Sequence, residues 1–125
     1  MIGYIMLGSG DLTAAGAFYD ALLGELGATR FVSNDRMIIW GTEPGAPMLA
    51  VCTPYDQEPA SVGNGSMVSL NGGDEDRVRN VHRLALELGG SNEGDPGPRG
   101  QGFFGAYFRD LDGHKLCVFV MGAGS

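Results

Sequence analysis

The chain has 125 residues, 43% hydrophobic and 18% charged, a make-up that suits one soluble domain with a buried core. Fifteen acidic residues against eight basic ones leave a net charge of −7, which argues against binding that neutralises nucleic-acid phosphates or anionic lipid headgroups. No apolar run approaches the roughly 20 residues that a membrane-spanning helix needs.

In chain order, residues 2–8, Ile-Gly-Tyr-Ile-Met-Leu-Gly, read as a first strand, broken by Gly8-Ser9-Gly10. That glycine pair lacks the spacing of a dinucleotide fingerprint and the lysine of a phosphate loop, so it reads as a turn. Asp11 is placed to cap a helix. Leu12, Ala15, Phe18, Tyr19, Leu22, Leu23 and Leu26 recur at three- and four-residue spacing, which predicts an amphipathic helix over 11–26 closed by Gly27. Three short apolar runs follow at 28–33, 37–42 and 47–53, separated by the turn formers Asn34-Asp35 and Pro44-Gly45. Residues 54–65 are a polar connector.

The second half repeats this order. Ser66 to Leu70 predicts a strand, and Asp74 to Leu88 a helix with Val78, Val81, Leu84, Ala85 and Leu88 on one face. Gly89-Gly90 stops it. The Gly- and Pro-rich stretch to Gly102 reads as a loop, either a lid or a passive connector, with a weakly signalled strand near 91–95. Strands at 103–109 and 115–121 flank the Asp112-Gly113 turn. His82 falls in the polar part of the second helix and reads as solvated, and His114 lies in the turn; neither is placed as a general base.

Strand, helix and three strands, taken twice, resemble the vicinal oxygen chelate superfamily, the group of glyoxalase I, bleomycin resistance proteins and extradiol dioxygenases. The resemblance is carried by three stretches: Met6-Leu7-Gly8-Ser9-Gly10-Asp11-Leu12 running into Ala17 to Gly24, Gly63 to Leu70, and Tyr107-Phe108-Arg109-Asp110-Leu111-Asp112-Gly113-His114-Lys115-Leu116. It implies an α+β fold of two βαβββ modules, about 1–56 and 63–125, in a single domain spanning 1–125. It further implies two sheets curled around a cleft with helices outside, and a homodimer paired through the first strand and helix.

In metal-dependent relatives the ligands are a His on the first strand, a His on the fifth and a Glu after the Asp-Gly turn. Carried across position by position, these fall on Tyr4, Met67 and Cys117. A divalent metal wants imidazole and carboxylate donors, so the reading is a protein with no metal and no other cofactor. Strand alternation puts Lys115, Cys117 and Phe119 on one face and Leu116, Val118 and Val120 on the other. By the resemblance the first face lines the cleft. Cys117 reads there as a small apolar wall residue. A nucleophile would need a cation such as Lys115 beside it, and a soft-metal site would draw on Met67 and Cys52, whose spacing is no metal motif.

The expected ligand-binding residues are Tyr4, Met6, Met48, Met67, Ser69, Phe104 and Cys117, lining a cleft suited to a small, flat, partly apolar molecule. Net acidity favours a cationic ligand by steering; Arg99 is the cation of the Gly/Pro stretch that would instead meet an anion. The expected partners are that ligand and a second copy of the chain, without nucleic acid or membrane. The alternative function is a metal-dependent lyase or ring-cleaving dioxygenase of the same superfamily. With no secretion signal visible and only two cysteines, a cytoplasmic location is expected.

Overall fold

The computed structural model describes residues 1–122. The chain divides into two compact units, Met1–Val62 and Gly63–Ser125. The first unit contains β1 (Tyr4–Gly8), α1 (Leu12–Gly24), β2 (Thr29–Ser33), β3 (Met37–Gly41) and β4 (Met48–Cys52). Its four-stranded sheet has the order β1-β4-β3-β2, with β1 parallel to β4 and the other pairs antiparallel. The second unit contains β5 (Val68–Asn71), α2 (Glu75–Glu87), β6 (Ser91–Gly100), β7 (Phe103–Arg109) and β8 (Lys115–Met121), in the sheet order β5-β8-β7-β6. Here β5 runs parallel to β8. The α+β class and the two βαβββ modules are therefore as the sequence implied.

Each helix begins where an aspartate can cap it. Asp11 accepts from the Ala14 amide at 3.0 Å, and Ser9 Oγ in turn accepts from the Asp11 amide at 3.0 Å, which makes Gly8-Ser9-Gly10 a helix entry. Asp74 accepts from the Arg77 amide at 2.7 Å, with Glu75 and Asp76 in the first turn where the helix dipole favours negative charge.

The apolar stripe of α1 (Ala15, Phe18, Tyr19, Leu22 and Leu23) is buried. Asp20 fastens α1 to the sheet. Its carboxylate accepts from Arg30 Nε and Nη2 on β2 at 2.9 and 2.8 Å, and from Trp40 Nε1 on β3 at 2.8 Å. The Arg30 hydrogen bonds hold the Asp20 carboxyl below the usual carboxylate range against the opposing effect of its partial burial.

In the second unit Val78, Val81 and Ala85 of α2 are buried, as are Phe104, Ala106, Phe108, Leu116, Val118 and Val120 of β7 and β8. His82 joins them at 4% exposure, against the expectation of a solvated side chain. It follows Val81 on the buried face, and β6 supplies its partner: Nε2 lies 3.0 Å from Asn92 Oδ1. The stretch read as a loop is largely the ten-residue strand β6, whose pairing with β7 shifts register at three places. Pro96 and Pro98 are tolerated because β6 is an edge strand, where a missing amide costs no ladder bond on the open side. The Asp112-Gly113 turn joins β7 to β8, organised by Asp110 Oδ1, which accepts from the amides of Asp112 and His114 at 3.0 and 2.9 Å. Gly113 takes the left-handed φ of +92° that favours glycine there. Among the described residues no helix is long and apolar enough to cross a membrane.

Candidate functional site

A sheet with a helix on one side has a second face, and alternation decides which residues reach it. In the first unit Trp40 binds Asp20 of α1, so Trp40 and its cross-strand partner Leu49 face the helix. Tyr4, Met6, Met48 and Ala50 then belong to the opposite face, with Tyr4 opposite Met48 and Met6 opposite Ala50 in the parallel register of β1 and β4. Tyr4 is 55% exposed, and Met6 is exposed as well. Gly41 leaves room on this face for two neighbours: a Cβ there would lie 2.8 Å from Phe31 Cε2 and 3.1 Å from Met48 Cγ. Phe31 was not foreseen, because an irregularity in β2 between Arg30 and Val32 disrupts the alternation that would have revealed it.

In the second unit one row crosses the sheet. Ser69 of β5 pairs with Cys117 of β8, Cys117 with Tyr107 of β7, and Tyr107 with Gly94 of β6. Cys117 is fully buried between its neighbours and free of any disulfide. Burial pushes its thiol up from the ordinary value, and hydrogen bonds from Ser69 and Tyr107 with the charge of Arg99 only partly offset this. Burial likewise raises the Tyr107 phenol, with Cys117 adding to the effect. Thiol and phenol are therefore both neutral near pH 7 and act as hydrogen-bonding groups, not as a nucleophile and its base. In the next row Phe119 lies opposite Gly105, and Phe103 stacks on it diagonally, with centroids 5.2 Å apart and planes 7° apart. Arg99 and Lys115 flank Tyr107, their charged ends 5.4 and 5.6 Å from its ring centroid.

The sequence-derived residues thus fall into two sets. Tyr4, Met6 and Met48 share the open face of the first sheet. Ser69 and Cys117 share that of the second, and Met67, 46% exposed, precedes β5 at the matching parity. Phe104 belongs to neither: it is buried on the side covered by α2, with the Arg79 guanidinium 4.8 Å from its ring centroid. Tyr107 and Phe103 take its place on the open face. Elsewhere, a surface depression of about 730 Å³ bounded by Arg36, Thr53, Pro54 and Tyr55 contains none of these residues.

A divalent metal is the group that the fold implies. Phenol, thioether and a thiol held protonated by burial do not make a donor set for it. Among the described residues no three His, Cys, Asp or Glu side chains come together as a metal site either.

No family model and no curated protein matches the chain. Solved structures do. A glyoxalase/bleomycin resistance protein from Albidiferax ferrireducens is 33% identical over 96% of this chain and 98% of its own, with a TM-score of 0.87. A hypothetical protein from S. aureus is 25% identical, with 96% and 92% covered and a TM-score of 0.73. A lactoylglutathione lyase from Agrobacterium tumefaciens, 21% identical with 96% and 92% covered and a TM-score of 0.69, shares the fold. With the paired βαβββ units, the capped helix entries and the Asp-Gly turn already in place, the 33% identity along nearly the whole chain establishes that this protein belongs to the glyoxalase/bleomycin resistance protein family of the vicinal oxygen chelate superfamily.

Proposed function

We propose that this family member binds a small, partly apolar molecule against its open sheet faces, and does so without a catalytic divalent metal. The observation that carries the reading is the Ser69–Cys117–Tyr107 row, in which the buried thiol lies between two neutral hydroxyls that reach the surface, beside the stacked Phe103 and Phe119. A few fixed polar groups set in an apolar and aromatic surface are what a small-molecule site requires. Tyr4, Met6, Met48 and Met67 supply an adaptable apolar surface. The same reading includes a homodimer, supported by the exposed Ile2 and Ile5 at the start of the first unit.

Thermal shift against a panel of flat aromatic, cationic and sugar-linked compounds tests the binding. A stabilising compound whose effect is lost in Tyr107→Ala or Ser69→Ala supports it. Metal analysis of protein purified without chelator tests the rest, the expected content being far below one ion per chain. A Zn, Ni, Mn or Fe ion that survives dialysis, or metal-stimulated turnover of methylglyoxal–glutathione adducts or catechols that is lost on substituting Tyr4 or Cys117, would overturn the reading in favour of a metal-dependent lyase or dioxygenase.

A further inference from the structure

The chain as a whole is acidic, but the open face of the second sheet is not. Of the chain's eight arginine and lysine side chains, four are neutralised by carboxylates: Arg30 by Asp20, Arg79 by Glu75 and Asp76, Arg83 by Glu87, and Arg109 by Glu93. Among the described residues Arg36, Arg77, Arg99 and Lys115 form no such pair. Two of these four converge on one ring, that of Tyr107. A ring face attracts a cation but does not cancel its charge. Glu93 is bound to Arg109; the Asp95 carboxylate keeps its charge but is turned to Asn92 Nδ2 at 2.7 Å, the same Asn92 that meets His82, and forms no ion pair with Arg99 or Lys115. Arg99 Nη2 takes only the backbone carbonyl of Asp95, at 2.6 Å.

Glycines let this surface lie flat. A Cβ on Gly94 would sit 2.9 Å from Tyr107 Cδ2 and 3.4 Å from Arg99 Nη2, and one on Gly97 3.1 Å from Arg99 Nη1. A Cβ on Gly105 would sit 2.6 Å from Phe103 Cε1. The guanidinium, the phenol ring and the phenyl ring of Phe103 therefore rest where side chains of β6 and β7 would otherwise stand.

We infer that the open face of the second sheet selects an aromatic carboxylate, its ring on Phe103, Phe119 and Tyr107 and its carboxylate met by Arg99 and Lys115. The inference rests on the binding function proposed above and gives that ligand a charge opposite to the one the net charge suggests. Planar ligand and planar platform match, and a guanidinium fork presents paired donors to a carboxylate. Ser69 and the Tyr107 hydroxyl supply hydrogen bonds to a ring substituent.

Isothermal titration of the full chain with 2-naphthoate, 2-naphthamide and 2-naphthylmethylamine tests it. At low salt the carboxylate binds about tenfold more tightly than the amide, and the amine binds weakest. Arg99→Gln and Lys115→Gln each lower the ratio of carboxylate to amide affinity. Lys115→Glu moves the preference toward the amine, a gain that misfolding would not produce. If the amide or amine binds as tightly as the carboxylate, or the two glutamine variants keep the preference, the inference fails while the binding function stands. If none of the three binds, the inference fails, and the thermal-shift panel decides the binding function separately.

Discussion

Replacing Asp20 with alanine removes the acceptor that joins α1 to two strands of the first sheet. Trp40 is 1% exposed, so its indole N–H, now bonded to Asp20 at 2.8 Å, would be left buried without a partner. An orphaned buried donor costs about 1–3 kcal/mol. The Arg30 ion pair adds less: its side chains are 36% and 46% exposed, and solvent screening holds such a pair under about 1 kcal/mol. The expected loss is about 2 kcal/mol, roughly 8 °C in Tm for a chain of this size. Asp20→Asn separates the two parts, since its amide oxygen still accepts from Trp40 while the charge is gone; its loss stays under about 1 kcal/mol. Urea unfolding followed by fluorescence is a direct assay, because Trp40 is the only tryptophan. The pH dependence has a definite sign. The Asp20 pKa is lower folded than unfolded, so its contribution is fully present above the ordinary carboxylate value of 3.8 and disappears as pH falls through the depressed folded value. Equal losses in Asp20→Ala and Asp20→Asn, or a loss below about 0.5 kcal/mol in the alanine variant, would refute the orphaned-donor argument.

Cys117 in the folded protein should react slowly with iodoacetamide at pH 7.5 and at an ordinary rate in urea, since only the thiolate attacks; rapid alkylation of the folded chain would show that burial does not control the thiol. Because the Cys117 pKa is raised on folding, its contribution to stability is present below the unfolded value and fades as pH climbs through the folded one. Urea titrations between pH 8 and 10 should therefore show a decline that Cys117→Ala makes shallower, and an unchanged slope would count against it. Gly105→Ala forces Phe103 off Phe119, which removes a stacked pair of about 0.5–1.5 kcal/mol. Affinity for flat aromatic probes should drop with it, while a variant that binds as before would show the stack to be irrelevant to ligand.

The element order was legible because apolar spacing and turn residues agree along most of the chain. The strands at 103–109 and 115–121 emerge with those bounds, fixed by a turn whose Asp and Gly each have a geometric task. β6 was hidden because its Gly and Pro content is that of a loop; only an edge position and three register shifts make such a strand possible. His82 was misjudged by its polarity, since nothing local announces that Asn92 will satisfy it. Phe104 was placed on the wrong side for want of the hairpin register: once Tyr107 is opposite Cys117, the odd residues of β7 must share the face of Cys117. The local charge was equally invisible, because it depends on which carboxylates the other arginines have already taken.

The composition of β6 bears on growth of the second sheet by strand addition. An edge strand normally offers an incoming chain a ladder of amides, and that is how β-rich proteins nucleate fibrils. Here Pro96 and Pro98 have no amide hydrogen to give, and the bulges bend what remains out of register. The second sheet is therefore capped along that margin against growth by strand addition, with its adhesive capacity left to its broad surface.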